Sequence, residues 1–249
     1  SHALNSALTR APLGELVVVL DDDISVESRW CQGVAAISSR WPDADLFSGC
    51  TYPVWPAGSV PAWARHPGIQ GWLFSAQNSP VPDRPLAEGQ WFPGGHFWFR
   101  SRIFGANRRF EDTWLTEPSF MLQLMRDGYR GVRGADAAVG HRIQPSLLEP
   151  ETALRRARQT GRSFAEVRLN PRFHLRHHRL AQAHPYLARI YVAGQWLRWS
   201  ALARLRARAA TDSFRFGARL VAVEREANFR ETWRILTRLP EYRLVKRRN

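Results

Sequence analysis

Lysine is nearly missing from this chain: Lys246 is the single lysine among 36 basic residues, so the formal net charge of +14 comes almost wholly from arginine. Cysteine is scarce as well. Cys31 and Cys50 are too few for a disulfide scaffold, and their spacing does not make a metal-binding pair, so a reducing cytosol is the simplest expected setting. Long apolar runs are absent too. The longest, Leu16 to Leu20, falls far short of the roughly 20 residues that a membrane-spanning helix needs, and no charged-then-apolar leader opens the chain. Membrane contact is therefore expected to be peripheral unless a segment outside this chain supplies an anchor. Internal repeats and low-complexity tracts are also lacking.

What is present suffices for a folded core: 249 residues with 44% hydrophobic content. The basic excess calls for anionic company, namely nucleotide phosphates, anionic lipid headgroups or nucleic acid, and charge alone does not choose among them. A solvated arginine-rich surface explains it equally well.

Along the chain, a short helix with Ala3, Leu4, Ala7 and Leu8 on one side ends near Pro12 and Gly14. Leu16-Val17-Val18-Val19-Leu20 then reads as a strand buried on both faces, the pattern of a parallel sheet. Asp21, Asp22 and Asp23 follow at its C-terminal end, where open α/β sheets place ligands. A helix over Glu27 to Arg40 and a strand near Leu46 to Tyr52 complete a βαβ pattern. From Pro53 to Pro93 lie eight of the 16 prolines, mixed with Trp55, Trp63, Trp72 and Trp91, and this stretch is expected to be an ordered excursion beside a binding cleft. Phe97 to Phe99 reads as a strand, Ser119 to Asp127 as a helix closed by Gly128, and Val132 to His141 as a last strand segment. Beyond Pro150 the pattern is helical, with stops expected at Gly161, Pro171, Pro185 and Pro240. Within it, Leu187, Ile190, Tyr191, Gly194, Leu197, Ala201, Leu202 and Leu205 share one stripe. Such a stripe either packs on the sheet domain or, given the arginines and Trp196 and Trp199 around it, lies on a membrane surface. The expected division is a sheet domain over 1–149 and a basic helical extension over 150–249.

Three carboxylates at one strand end repel one another unless a cation offsets them, which points to a divalent metal with hard oxygen ligands. Strand alternation turns Asp21 and Asp23 the same way. The plain structural alternative is a helix N-terminus capped by Asp23 or Ser25.

Several further segments occur in an order that resembles the inverting family 2 glycosyltransferases. Glu15 to Asp23 looks like that family's strand leading into its Asp-x-Asp site, and Asn5 in Leu4-Asn5-Ser6-Ala7 looks like its preceding asparagine-bearing helix. Phe92-Pro93-Gly94-Gly95-His96-Phe97-Trp98-Phe99-Arg100 resembles the small-residue loop and strand beside the transferred sugar. Thr116-Glu117-Pro118, followed by Gly128-Tyr129, resembles the family's Glu-Asp signature with Glu117 at the place of the catalytic aspartate. Ala138-Val139-Gly140-His141-Arg142 resembles its strand ending in a histidine near the metal and diphosphate.

The resemblance covers about residues 1 to 160 and implies a GT-A, Rossmann-like mixed sheet flanked by helices that lacks its N-terminal nucleotide-binding segment, so the chain is expected to be a fragment of a longer protein. It implies Glu117 as general base, and Asp21, Asp23 and His141 as ligands of Mg²⁺ or Mn²⁺. Asn5, Asp22, Gly94, Gly95, His96 and Arg142 would bind a nucleotide-sugar donor, and Trp91, Trp98 and Trp114 would face a glycan or lipid-linked acceptor. The implied location is the cytoplasmic face of a membrane, in building envelope polysaccharide, with no nucleic acid partner.

Glu111 and Asp112 are a rival acidic pair. Two other classes compete with sugar transfer. Val18 to Ser25 also resembles the nucleophile strand of haloacid-dehalogenase-like phosphatases, although that family needs a later basic residue, generally lysine, and Lys246 is the only one. A basic module for membrane or nucleic acid would explain the charge but leaves Asp21 to Asp23 and Glu117 without a role.

Overall fold

A computed structural model of the protein describes residues 2–10, 12–76, 82–92, 94–106, 109–110, 116–173, 175–208 and 213–238. Its elements, in chain order, begin with α1 (His2–Arg10), β1 (Leu16–Leu20), β2 (Ile24–Val26), α2 (Trp30–Arg40), β3 (Leu46–Ser48), β4 (Thr51–Val54) and α3 (Pro67–Leu73). They continue with β5 (Arg84–Pro85), β6 (His96–Arg100), α4 (Thr116–Arg126), β7 (Gly131–Arg133) and β8 (Val139–Arg142). Four helices close the series: α5 (Pro150–Leu169), α6 (Arg176–Ala183), α7 (Pro185–Arg208) and α8 (Ser213–Arg238). The class is mixed α/β with a C-terminal helical region.

Two compact units divide the chain. One holds Ser1–Ala57 with Phe74–Gln144, and the other holds Gly58–Leu73 with Pro145–Asn249. The helical unit therefore takes in residues 58–73 from the Trp- and Pro-rich stretch as well as the C-terminal region. Trp63 shows why, since it is buried edge-on against Phe216 of α8.

The first unit carries a five-stranded sheet in the order β1-β6-β3-β7-β5 and a three-stranded sheet in the order β2-β8-β4. β6 runs antiparallel to both β1 and β3, whereas β3 and β7 are parallel. Central β6 is buried on both faces: Phe97 and Phe99 join Leu46, Phe120 and Met121 in one core cluster, and Trp98 joins Ile37, Phe47 and Val132 in another. Full burial of one such side chain stabilises by roughly 1.5–3 kcal/mol.

β1 departs from expectation. It is not a two-sided parallel strand: its described neighbour is β6 alone, antiparallel, and Val18 and Leu20 are exposed. A uniformly apolar run signals burial on both faces, but a strand paired along one edge only leaves part of its surface uncovered. The expected strand over 46–52 also divides, because Gly49 passes so close to the Ala137 carbonyl that a Cβ there would sit 1.7 Å from its oxygen. The chain switches there from β3 in one sheet to β4 in the other.

In the helical unit, α5 continues through Gly161, where a stop was expected. A Cβ on Gly161 would lie 2.2 Å from the Glu224 carbonyl oxygen, so this glycine serves close packing of α5 on α8. The apolar stripe of α7 does not pack as an ordinary amphipathic face: Leu187, Ile190, Tyr191, Leu197 and Leu205 are all exposed. No helix among the described residues is long and apolar enough to cross a membrane.

Candidate active site

Sheet register assembles the site. Pairing of Leu20 with His96 brings the C-terminal end of β1 beside the N-terminal end of β6, and the Asp21 amide donates to the Gly95 carbonyl at 3.0 Å. In the other sheet, pairing of Ile24 with His141 sets β8 alongside the residue that follows Asp23, and the Arg142 amide donates to the Asp23 carbonyl at 2.8 Å. Thus two sheets, each through one backbone pairing, hold the acidic turn at their common boundary.

Glu117 enters from the first turn of α4, which begins at Thr116, three residues before the expected start at Ser119. Gly128, with φ +95°, closes the helix, and the Tyr129 amide returns to the Leu124 carbonyl. Two adjacent glycines separate this glutamate from the acidic turn. A Cβ on Gly94 would approach Glu117 Oε2 to 3.4 Å, and one on Gly95 would approach Asp21 Oδ2 to 2.7 Å. Gly95 has φ +88°, a conformation that side chains rarely adopt.

The electrostatics agree with the geometry. Burial pushes the Asp21 carboxyl above the ordinary aspartate range, the charges of Glu117, Asp23 and Asp22 push it further, and His141 opposes them. His141 lies with Nδ1 2.6 Å from the Phe74 carbonyl and Nε2 3.3 Å from Asp23 Oδ2. A carbonyl only accepts, so Nδ1 carries a hydrogen. Nε2 is thus the ring atom turned toward the Asp23 carboxylate, and a cation between the two would suit both. Asp23 Oδ1 is buried and has no hydrogen-bond partner.

Among the described residues, no three His, Cys, Asp or Glu side chains form a group that could hold a metal by themselves. Asp23 and His141 could supply only a partial set, one carboxylate and one imidazole, which substrate oxygens and water would complete; Mg²⁺ sites built on one or two carboxylates are commonly completed in that way. The backbone carbonyl on the far ring nitrogen is the support that metal-ligating histidines usually have. The unsatisfied Asp23 Oδ1 and the crowded charge on Asp21 favour such a cation.

Other expected site residues are placed as follows. Asp22 is exposed on the same turn, and Arg142 is exposed with no side-chain ion pair among the described residues. Asn5 has both ends of its amide engaged: its nitrogen donates to the Phe110 carbonyl and its oxygen accepts from the Phe110 amide, so it ties α1 to the chain near 110. His96 lies inside the core. It is 1% exposed, its Nε2 accepts from Trp30 Nε1 at 3.1 Å, and burial alone lowers its pKa to about 4, which makes it a neutral interior residue. Trp98 is wholly buried, its indole donates to Ser38 Oγ, and it offers no face to an acceptor. Trp91 is half-buried against the cluster that contains Phe97 and Phe120. Trp114, Pro93, Glu111 and Asp112 lie outside the described residues.

Sequence reasoning overlooked Arg133, which is buried in β7. The available signal was an arginine at an inward position of a short apolar strand, where a charge is rarely placed without purpose.

No protein-family model matches the chain, and no curated protein matches it significantly.

Proposed function

We propose that the first unit is the catalytic part of an inverting glycosyltransferase, which moves a sugar from a nucleotide-diphosphate donor to a hydroxyl of a glycan or lipid-linked acceptor. The observation that carries this reading is the approach of Glu117 to Asp21, the first residue of the acidic turn, across Gly94 and Gly95. Residues more than ninety positions apart in the chain converge there, one carboxylate standing apart from three.

Glu117 takes the proton from the acceptor hydroxyl as its oxygen forms a bond to the anomeric carbon, while the bond from that carbon to the diphosphate oxygen breaks on the opposite face. The nucleoside diphosphate departs with the bonding electrons. A bound Mg²⁺ or Mn²⁺ would supply charge neutralisation for that leaving group. Asp23 and His141 would hold it, with Asp21 beside them. Exposed Arg142 is suited to a phosphate oxygen. Gly94 and Gly95 put no side chain between base and acidic turn, so both carboxylates can close against the backbone of this loop.

The phosphatase alternative gives Glu117 no task, and a purely basic module gives none to the whole acidic turn. A peripheral membrane contact is favoured by one separate observation, the exposed apolar stripe of α7 from Leu187 to Leu205 among flanking arginines. It would set the enzyme at the cytoplasmic face, where lipid-linked acceptors are presented.

Titration of Mn²⁺ into the full-length polypeptide, followed by electron spin resonance, tests the site. Uptake should be weak alone and at least tenfold stronger with a nucleoside diphosphate, and Asp23→Ala and His141→Ala should each remove that enhancement. Equal uptake with and without the nucleotide in all three proteins would sink the assignment.

A further inference from the structure

At the C-terminal end of β7, Arg133 is 8% exposed, and its Nε is buried without a hydrogen-bond partner. Its cross-strand partner in β5 is a second arginine, Arg84. Burial lowers the Arg133 pKa and the charge of Arg84 lowers it further, against a smaller opposite effect of the Cys50 thiol, and no carboxylate among the described residues acts on it. The group nevertheless remains a guanidinium at neutral pH. A buried cation without a counter-ion, facing another cation, is among the least favourable arrangements in a folded protein.

Both arginines line one cavity of about 230 Å³, together with Leu86, Gly89, Gln90 and Trp91. Among the described residues, no acidic side chain lines it. The Gln90 side-chain oxygen already accepts from the Ala87 amide, which leaves its NH₂ group as the remaining polar function. The polar side chains of the wall thus offer donors and positive charge only, beside one indole.

We infer that this cavity is a binding site for a small oxyanion carried on a carbohydrate, with Arg84 and Arg133 gripping a phosphate or carboxylate and Trp91 flanking the sugar ring. Two guanidiniums match the oxygens of such a group in bidentate fashion, and the anion supplies the counter-charge that Arg133 lacks. The site lies at the same sheet edge as Asp21, since Arg133 and Asp21 stand at the C-terminal ends of parallel-running β7 and β1. With neighbouring strands about 4.8 Å apart, the three steps from β1 to β7 amount to roughly 14 Å. Taken together with the sugar-transfer reading, on which this clause alone rests, the cavity assigns the acceptor to the class of anionic carbohydrates.

Calorimetric titration of the full-length polypeptide in EDTA tests the site without involving a metal-held diphosphate. The probes are glucose 6-phosphate, glucuronate and glucose. Glucose 6-phosphate or glucuronate should bind at least tenfold more tightly than glucose, and the tighter of the two identifies the anion. Arg84→Gln, a change at an exposed position, and Arg133→Met should each weaken that binding at least tenfold and leave the affinity for glucose unchanged. Equal affinity for all three probes, or anion binding that survives Arg84→Gln, overturns the inference, and the Arg84 variant decides it should Arg133→Met fail to fold. Because Asp23 and Glu117 take no part in this titration, its failure is distinct from failure of the transfer reading.

Discussion

Gly95 stands against Asp21 so closely that a single added carbon would sit 2.7 Å from Asp21 Oδ2. Neighbouring Gly94 leaves 3.4 Å to Glu117 Oε2, so the two glycines differ in what they tolerate. Gly95→Ala adds backbone strain at φ +88° to that clash, and should cost about 1–3 kcal/mol of stability as well as displace the Asp21 carboxylate. Gly94→Ala should lie within about 1 kcal/mol of wild type, because only the end of a glutamate side chain has to give. Urea unfolding of the two variants provides the comparison, and equal destabilisation would show that the close approach is not felt.

His96 makes stability depend on acid. Its folded pKa of about 4 lies below the ordinary histidine value of 6.5, so the folded protein binds fewer protons than the unfolded chain between those values. The stabilising effect is fully present above pH 6.5 and is lost as pH falls toward 4, amounting to roughly 3 kcal/mol at 1.36 kcal/mol per pKa unit. Protonating Nε2 would also break the hydrogen bond from Trp30. His96→Gln keeps an acceptor there and does not titrate, so it should lose distinctly less stability than wild type between pH 7 and pH 4.5 in urea unfolding. The same loss in both proteins would place the acid sensitivity elsewhere.

Gly161 is a point of close approach in the α5 and α8 contact, and the nearest atom it meets is backbone, which cannot swing away. Despite alanine's better helix propensity, Gly161→Ala should destabilise by about 1–3 kcal/mol through overpacking. A lowered melting temperature is the expected readout, and an unchanged or raised one would mean that the helices separate easily.

What could be read beforehand was local. An apolar run that ends in three aspartates marks a strand with an acidic turn at its tip, and Gly128 after an apolar periodic stretch marks the end of α4; both depend on neighbours in the chain. The placing of Glu117 near the acidic turn was an expectation from family resemblance. Its approach through Gly94 and Gly95 depends on the register of β1 with β6 and on the docking of α4, contacts far apart in sequence. For the same reason β1 was misread, because its composition does not reveal how many strands flank it. His96 is expected at the donor and Trp98 facing the acceptor, yet both side chains lie in the core, where Trp30 donates to His96 and Trp98 donates to Ser38. Arg133 escaped notice because an arginine in an arginine-rich chain looks ordinary until its burial and lack of a counter-ion are known. Gly161 looked like a helix stop, since a glycine that admits a neighbouring helix and one that ends its own are the same letter.

The most direct test of Glu117 as base compares turnover with donor binding. Full-length wild type and Glu117→Gln are given Mn²⁺, a panel of nucleotide sugars and a cell-envelope glycan and lipid fraction, and nucleoside diphosphate release is followed. Glu117→Gln should lower release by a factor of roughly 10² to 10⁴, the range for loss of a general base, with donor affinity essentially retained. Near-normal release by Glu117→Gln would contradict the account.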